Sequence, residues 1–564
     1  MMVGKPNILR ASFVLVAVLV VFVSAARAQD RGQAPEMLES GLKPEDVEKR
    51  SYVDYARECI GLLMSHGTDT YGRIHAPILV SILDVRTRTC PENPLPFDEA
   101  FRVIRRGRRA PAGGNLYPDQ PTLRAMYALS QITGDRQYAA FADNYLNYTM
   151  RNLVDEKGLF WWGWHRHYDA YLDVMTGHNG NPHEIHIQQA IWPELWRVNK
   201  EAVTREIEAI WQWHVINKTT GECNRHGDGQ RGCDFAMTGG EILGAFAFLY
   251  SVTHDRQWLD RARLVADYYW RSRNPTTNLI PNRPNAGADR FDGARFDTSI
   301  TGLHCHSLLK AFELTGEPTF REYALAYLKA YARYGYDREA GQFWGSLRLD
   351  GSPVREARGG SGYEQYEPRG HVDIWQPYAA GYEHPIPTAQ AYAYAYQITG
   401  DKDVLEAAKR WAKCIRRVFP PRACNEDTWY RGYARDYAPH GTYADHYGRV
   451  ISFFLQMDAL LSRASERAQG FRAAPPRGQA DSPRRPGGAP WGLPRLTGDA
   501  AYGQSAREAA QEALSRLYYQ GLLRGHPCKP YYEAMDGVGY LLTALIQLDE
   551  VLTGKTKGLS FENW

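Results

Sequence analysis

The stretch AMYALSQITGDRQYAAFADNYLNY, Ala125–Tyr148, decides the fold. It reads as an apolar helix, a Thr-Gly-Asp turn and a second, amphipathic helix. Gly134 suits the position just past a helix C-terminus, and Asp135 suits the N-cap of the helix that follows. The phrase returns as AFAFLYSVTHDRQWLDRARLVADYY (Ala245–Tyr269), LLKAFELTGEPTFREYALAYLKAY (Leu308–Tyr331) and AYAYAYQITGDKDVLEAAKRWAKC (Ala391–Cys414). A weaker copy starts at Ile191, and a truncated one, YLLTALIQLDEVLTGK, starts at Tyr540. The copies are helical hairpins with long, uneven loops between them.

Repeated helical hairpins form either an open solenoid or a closed (α/α) toroid whose inner helices line a central cavity. Solenoid repeats keep a regular length; these do not. The long loops are rich in Trp, His, Arg, Gly and Asn, as a catalytic rim would be. The expectation is therefore an all-α chain, an (α/α) toroid of about six to seven hairpins with long loops at one end. Its inner helices should start near Gln120, Glu184, Glu241, His304 and Thr388. Aligned helix N-termini would give that mouth a positive potential suited to an anionic ligand.

The ends of the chain read differently. MMVGKPNILR is basic, ASFVLVAVLVVFVS is apolar, and Ala26-Arg27-Ala28 is a small-x-small cleavage site, so residues 1–28 read as a secretory signal peptide. The expected location is periplasmic or extracellular, with no membrane contact once that signal is removed. Residues 29–464 are read as the toroid, and 465–500, rich in Pro, Gly and Arg, as a flexible insertion. Residues 501–564 are read as helices that close the ring against YVDYARECIGLLM near the N-terminus. A monomer is expected.

A net charge of +3 with no long basic run gives no case for nucleic acid as a partner. Of the eight cysteines, the close pairs Cys223/Cys233 and Cys414/Cys424 are the plausible disulfides in an oxidising compartment.

Three loops carry unusual chemistry. FWWGWHRHYDAYLD holds His165, Arg166, His167, Tyr168 and Asp169. GHNGNPHEIH holds His178, Asn181, His183, Glu184 and His186. GECNRHGDGQRGC, Gly221–Cys233, holds Arg225, His226 and Asp228. Imidazoles gathered around one carboxylate can hold a borderline or hard divalent ion. Glu184 and His186 are two apart, so the helical HExxH zinc geometry does not apply. Trp162, Trp164, Arg166, Asn181, His304, Trp375 and Tyr382 are candidates for contact with an anionic polysaccharide or oligosaccharide.

The order His, Glu, then an adjacent Arg-His, within a secreted helical toroid, resembles the family 2 polysaccharide lyases, the pectate lyases. That resemblance implies a divalent cation, typically manganese, with calcium the other expected ion, held by His165 (or His167), Glu184 and His226. It implies Arg225 as the Brønsted base. A second catalytic arginine has no clear match; Arg283, Arg290 and Arg295 are the candidates. Glu184 precedes His226 by 42 residues, a spacing similar to the family's.

The chemistry also stands on its own. Cleaving a uronate by β-elimination removes the C5 proton beside a carboxylate. That anion must be neutralised so the enolate-like transition state is stabilised more than the ground state. Arginine is a poor base in water, and His165, His167, Tyr168 and His304 are alternatives. Two other classes stay open. A toroid glycoside hydrolase would use a carboxylate pair drawn from Asp169, Asp173, Asp234, Glu241, Asp373, Glu383 and Asp445. A non-catalytic carbohydrate-binding protein would not need so many imidazoles.

Overall fold

The computed structural model describes residues 42–91, 113–185, 189–355, 370–375, 383–421, 441–468, 500–554 and 559–563. The expected hairpins are present, and they close into a ring. In chain order the helices are α1 (Tyr52–His66), α2 (Leu116–Thr133), α3 (Gln137–Asn152), α4 (Trp192–Val198), α5 (Lys200–His214), α6 (Ala236–Thr253) and α7 (Arg256–Arg271). They continue as α8 (Cys305–Thr315), α9 (Pro318–Tyr334), α10 (Pro385–Thr399), α11 (Lys402–Arg417), α12 (Ala444–Ala468), α13 (Ala500–Leu517) and α14 (Val538–Thr553).

One device makes four of the hairpin turns. At Thr133-Gly134-Asp135 the threonine hydroxyl donates back to the Leu129 carbonyl at 2.7 Å and accepts from the Asp135 N–H at 3.2 Å. Gly134 takes the left-handed conformation, and the Asp135 carboxylate then accepts from Gln137 N at 3.0 Å, starting α3. Thr253-His254-Asp255, Thr315-Gly316-Glu317 and Thr399-Gly400-Asp401 repeat these bonds. Each side chain satisfies backbone groups that a helix end leaves open. His254 does glycine's work at φ 58°.

The even-numbered helices form the inner ring. The N-cap carboxamide of Asn115 starts α2, accepting from Tyr117 N at 3.1 Å. Pro121 leaves the Tyr117 carbonyl without its helical donor, and the Gln120 side chain supplies one at 3.2 Å. The same side chain accepts from Ile191 N at 2.8 Å, tying α2 to the start of α4. Trp192 stacks on Phe248 to join α4 to α6. Helix α6 packs on α8, α8 on α10, α10 on α12, α12 on α14, and α14 on α2. Two of these seams are backbone against backbone. A Cβ on Gly448 would lie 2.3 Å from the Tyr540 carbonyl carbon, and one on Gly539 would lie 2.2 Å from Thr122 N. Helix α1 is the outer partner of α14, as expected: Asp549 accepts from Val53 N at 3.3 Å. Nearby, β1 (Ile82–Asp84) pairs antiparallel with Tyr531–Glu533.

Among the described residues, the long loops run from an outer helix to the next inner one, so they gather at one mouth. They carry the short strands that an all-α reading leaves out, including β2 (Gly113–Gly114), β3 (Arg166–Asp169) and β4 (Val174–Gly177), one antiparallel sheet. Two expectations are corrected. Glu184 does not start an inner helix; α4 starts at Trp192, where Pro193 fits the first turn, and Glu184 lies in extended backbone instead. Helix α12 continues through Ser465–Ala468, past the boundary drawn for the insertion; residues 469–499 lie outside the described residues. No described helix is long and apolar enough to cross a membrane.

Candidate functional site

His165 sits at the entry to β3. His178 N donates to its carbonyl at 3.0 Å, which seats the β3–β4 hairpin against it. Gly177 makes this approach possible, because a Cβ there would lie 1.8 Å from the His165 carbonyl oxygen. Trp161 clamps the hairpin from outside, its Nε1 donating to the carbonyls of His167 and Thr176, each at 3.0 Å.

Glu184 and His226, 42 residues apart in sequence, face each other across an isolated antiparallel bridge. Ile185 N donates to the Arg225 carbonyl at 2.9 Å, and Gly227 N donates to the His183 carbonyl at 2.8 Å. Gly163 packs behind: a Cβ there would lie 2.8 Å from the Glu184 carbonyl oxygen.

The side chains then converge. His165 Nε2 lies 3.2 Å from Glu184 Oε2. Arg225 Nε lies 3.1 Å from Glu184 Oε1 and 3.3 Å from His226 Nε2. His226 Nε2 is 3.8 Å from Glu184 Oε1, and the His165 and His226 rings meet edge to face. One ligand atom from each of His165, Glu184 and His226 lies within 4.8 Å of the others. Glu184 is fully buried, and Arg225 is 5% exposed. Burial, reinforced by the Arg225 charge, pushes His226 down to about 4, so at neutral pH its imidazole keeps a lone pair. Two imidazoles and a carboxylate suit a borderline or hard divalent ion.

Of the two histidine alternatives, the hairpin brings one to Glu184 and His226. His165 is in the converging set; His167 pairs with Thr176 further along β3, about two residues or 7 Å away from that end.

Several candidates have other jobs. Arg166 is an internal strut, bound to Asp155 at 2.7 Å, to the carbonyls of Asn181 and Phe160, and stacked on Trp161. Asn181 turns the chain in a left-handed conformation at φ 51°. Trp162, Trp164 and Trp375 are buried, so none offers a ring face to a sugar; Trp375 donates to the Val418 carbonyl. His304 is sealed in the core against Tyr269, its Nδ1 2.7 Å from the Ala236 carbonyl. Tyr168 is buried and donates to Asp173 at 3.2 Å, and burial pushes its phenol up. Tyr382, His186 and Cys424 lie outside the described residues.

Of the spare arginines, Arg283 is tied to the site. Its guanidinium and that of Arg225 lie over the same Phe235 ring, at 5.7 and 5.3 Å. It pairs with Asp292 at 3.2 Å. Arg290 pairs with the same carboxylate. Arg295 is buried on the strand Arg295–Asp297. Among the hydrolase candidates, Asp169, Asp173, Asp234 and Asp373 each accept backbone N–H groups within loops, and Asp445 accepts from His446 N.

The Arg-His loop is not closed by a disulfide. Cys223 and Cys233 are free thiols, Cys223 lying 3.1 Å from the Tyr269 hydroxyl. Cys414 is also free. The clasp is Asn224. Its Oδ1 accepts from His226 N at 3.2 Å and Cys233 N at 3.0 Å, and its Nδ2 donates to Asp228 at 3.2 Å and the Gln230 carbonyl at 2.8 Å. The loop's glycines pack on protein: Gly227 faces His214, and Gly229 faces Trp213.

A family model described as periplasmic pectate lyase matches residues 103–238, a span holding His165, Glu184, Arg225 and His226. Over that span the chain is pectate-lyase-like. The pectate disaccharide-lyase of Dickeya dadantii (strain 3937) is 31% identical over 127 residues, which cover 22% of this chain and 23% of that protein. Among solved structures, an α-1,6-mannanase of Salegentibacter sp. HEL1_6 aligns with a TM-score of 0.42 at 11% identity, covering 89% of this chain and 100% of that one. The unsaturated glucuronyl hydrolase of Bacillus sp. GL1 aligns at 0.37 and 15% identity, covering 64% and 84%. A cellobiose 2-epimerase of Bacillus thermoamylovorans B4167 aligns at 0.42 and 12%, covering 67% and 89%.

Proposed function

We propose that the protein is a secreted or periplasmic polysaccharide lyase that cleaves a uronate polymer such as pectate by cation-assisted β-elimination. One observation carries this reading: a buried Glu184 flanked by His165, His226 and Arg225, inside the span that matches periplasmic pectate lyases. His165, Glu184 and His226 would hold the cation. When bound, a divalent cation would neutralise the substrate carboxylate and oppose the Arg225 charge, favouring a neutral guanidine.

The chain's own groups do the rest. Arg225 is held on Phe235 and against Glu184, so its head is fixed before substrate arrives. Placed beside C5, it takes the proton as the C4–O bond breaks, leaving the C4–C5 double bond, and the departing oxygen is protonated from water. Arg283, over the same ring and paired with Asp292, is the second guanidinium on that side that a polymer carboxylate could meet. The Asn224 clasp and the backbone bridge keep the base and the carboxylate together through turnover.

The test is incubation with polygalacturonate and a panel of other uronate polymers, with and without EDTA. A rise in the unsaturated-uronate absorbance, lost with EDTA and restored by Mn²⁺, supports the proposal. New reducing ends without that absorbance would establish a hydrolase. No turnover on any polymer would favour a binding protein.

A further inference from the structure

Behind the site runs a chain of buried polar groups that the proposed chemistry does not use. His183 Nδ1 lies 2.7 Å from His214 Nε2, and His214 Nδ1 lies 2.9 Å from the Asn224 carbonyl. Trp162 Nε1 donates to His183 Nε2. Trp162, His183 and His214 are all buried. A carbonyl only accepts, so His214 carries its proton on Nδ1. Its Nε2 then accepts from His183 Nδ1–H, and His183 Nε2 accepts from the indole. Glu206 Oε1 lies 3.1 Å from the same His183 nitrogen, so that end of the chain is shared with a buried carboxyl.

The two ends of this chain meet the two halves of the site. His183 precedes Glu184 and accepts Gly227 N through its carbonyl. Asn224 precedes Arg225, donates from its N–H to the His214 carbonyl at 2.7 Å, and clasps the His226 N–H. His214, the last residue of α5, thus touches the neighbours of Glu184 on one side and of Arg225 on the other. Gly227 is bare because a Cβ there would lie 2.8 Å from His214 Nε2.

We propose that His214 is the positioning residue that sets Glu184 against the Arg225–His226 pair, by holding both strands of their backbone bridge through hydrogen bonds to His183 and Asn224. The inference rests on reading His165, Glu184 and His226 as a cation site. Groups behind a ligand set its orientation, and their loss weakens metal affinity or activity by about 10- to 100-fold.

The test uses the full chain, with Mn²⁺ alone titrated and free Mn²⁺ followed by EPR, alongside kinetics and thermal unfolding. His214→Phe keeps the ring volume and removes both bonds. His214→Asn keeps a donor near Nδ1, and His214→Gln keeps a polar group near Nε2. The expected result is that His214→Phe binds Mn²⁺ about 10- to 100-fold more weakly, with kcat falling more than KM rises. His214→Asn and His214→Gln should each recover part of the affinity. A folded His214→Phe with wild-type Mn²⁺ affinity and kcat overturns the inference alone. If His214→Phe does not fold, wild-type affinity in both amide variants does the same. If the wild type binds no Mn²⁺, the cation-site reading falls and this inference with it.

Discussion

Gly177→Ala adds one methyl group to a residue that offers no ligand and no catalytic atom. The Cβ would sit 1.8 Å from the His165 carbonyl oxygen and 2.7 Å from Asn181 Oδ1. Real Cβ atoms do not approach closer than 3.0 Å, so the backbone must open by about 1.2 Å. The strand pairing of Arg166 with Gly177 cannot absorb this without moving His165. Metal–ligand distances tolerate about 0.2 Å, so the opening exceeds what His165 can lose and still coordinate. Misplacement by about 1 Å costs about 100-fold in rate. The expected result is a folded protein with Mn²⁺ affinity and kcat each reduced at least about tenfold. Gly61→Ala on α1, where a Cβ meets nothing within 4 Å, is the control; it should leave both unchanged and stabilise by up to about 1 kcal/mol. Wild-type Mn²⁺ binding by Gly177→Ala would refute the claim that this hairpin seats His165.

Other outcomes follow from the same geometry. Non-reducing peptide mapping should find Cys223 and Cys233 as two alkylatable thiols, with dithiothreitol leaving the melting temperature unchanged; a cross-linked peptide pair would contradict the Asn224 clasp. Lys529→Met removes the buried cation that contacts both Glu533 and Asp536, and should cost about 3–5 kcal/mol by urea unfolding. Burial pushes His304 down to about 4. As pH falls from about 6.5 to 4 the unfolded chain takes up a proton there that the fold refuses, so stability present above that window is lost across it, by about 3 kcal/mol. His304→Gln should therefore lose less stability between pH 7 and pH 4.5 than the wild type; an unchanged difference would show that His304 is not the sealed group described.

The ring was legible because its turns are local. The Thr-Gly-acid turns at Thr133, Thr315 and Thr399, with Thr-His-Asp at Thr253, carry their own capping chemistry, so four hairpins could be read without tertiary information. Glu184, Arg225 and His226 were legible as residue types at a spacing. What joins them was not, because a backbone bridge between residues 42 apart leaves no periodic trace. The same limit misplaced the tryptophans. Trp162 and Trp375 are amphipathic residues whose N–H groups find partners inside, His183 and the Val418 carbonyl, which composition does not reveal. Two cysteines ten residues apart suggested a staple, whereas Asn224 between them makes four hydrogen bonds. An asparagine beside an Arg-His pair in a glycine-rich loop was the available signal for that clasp.

The central claim is that Arg225 takes a proton beside a cation held by His165, Glu184 and His226. Arg225→Ala tests it most directly, with bound Mn²⁺ and unsaturated-product formation from polygalacturonate measured on the same preparation. The account predicts that turnover disappears while Mn²⁺ content stays near that of the wild type, and that Glu184→Ala loses the Mn²⁺ as well. An Arg225→Ala protein that keeps full lyase activity would contradict it.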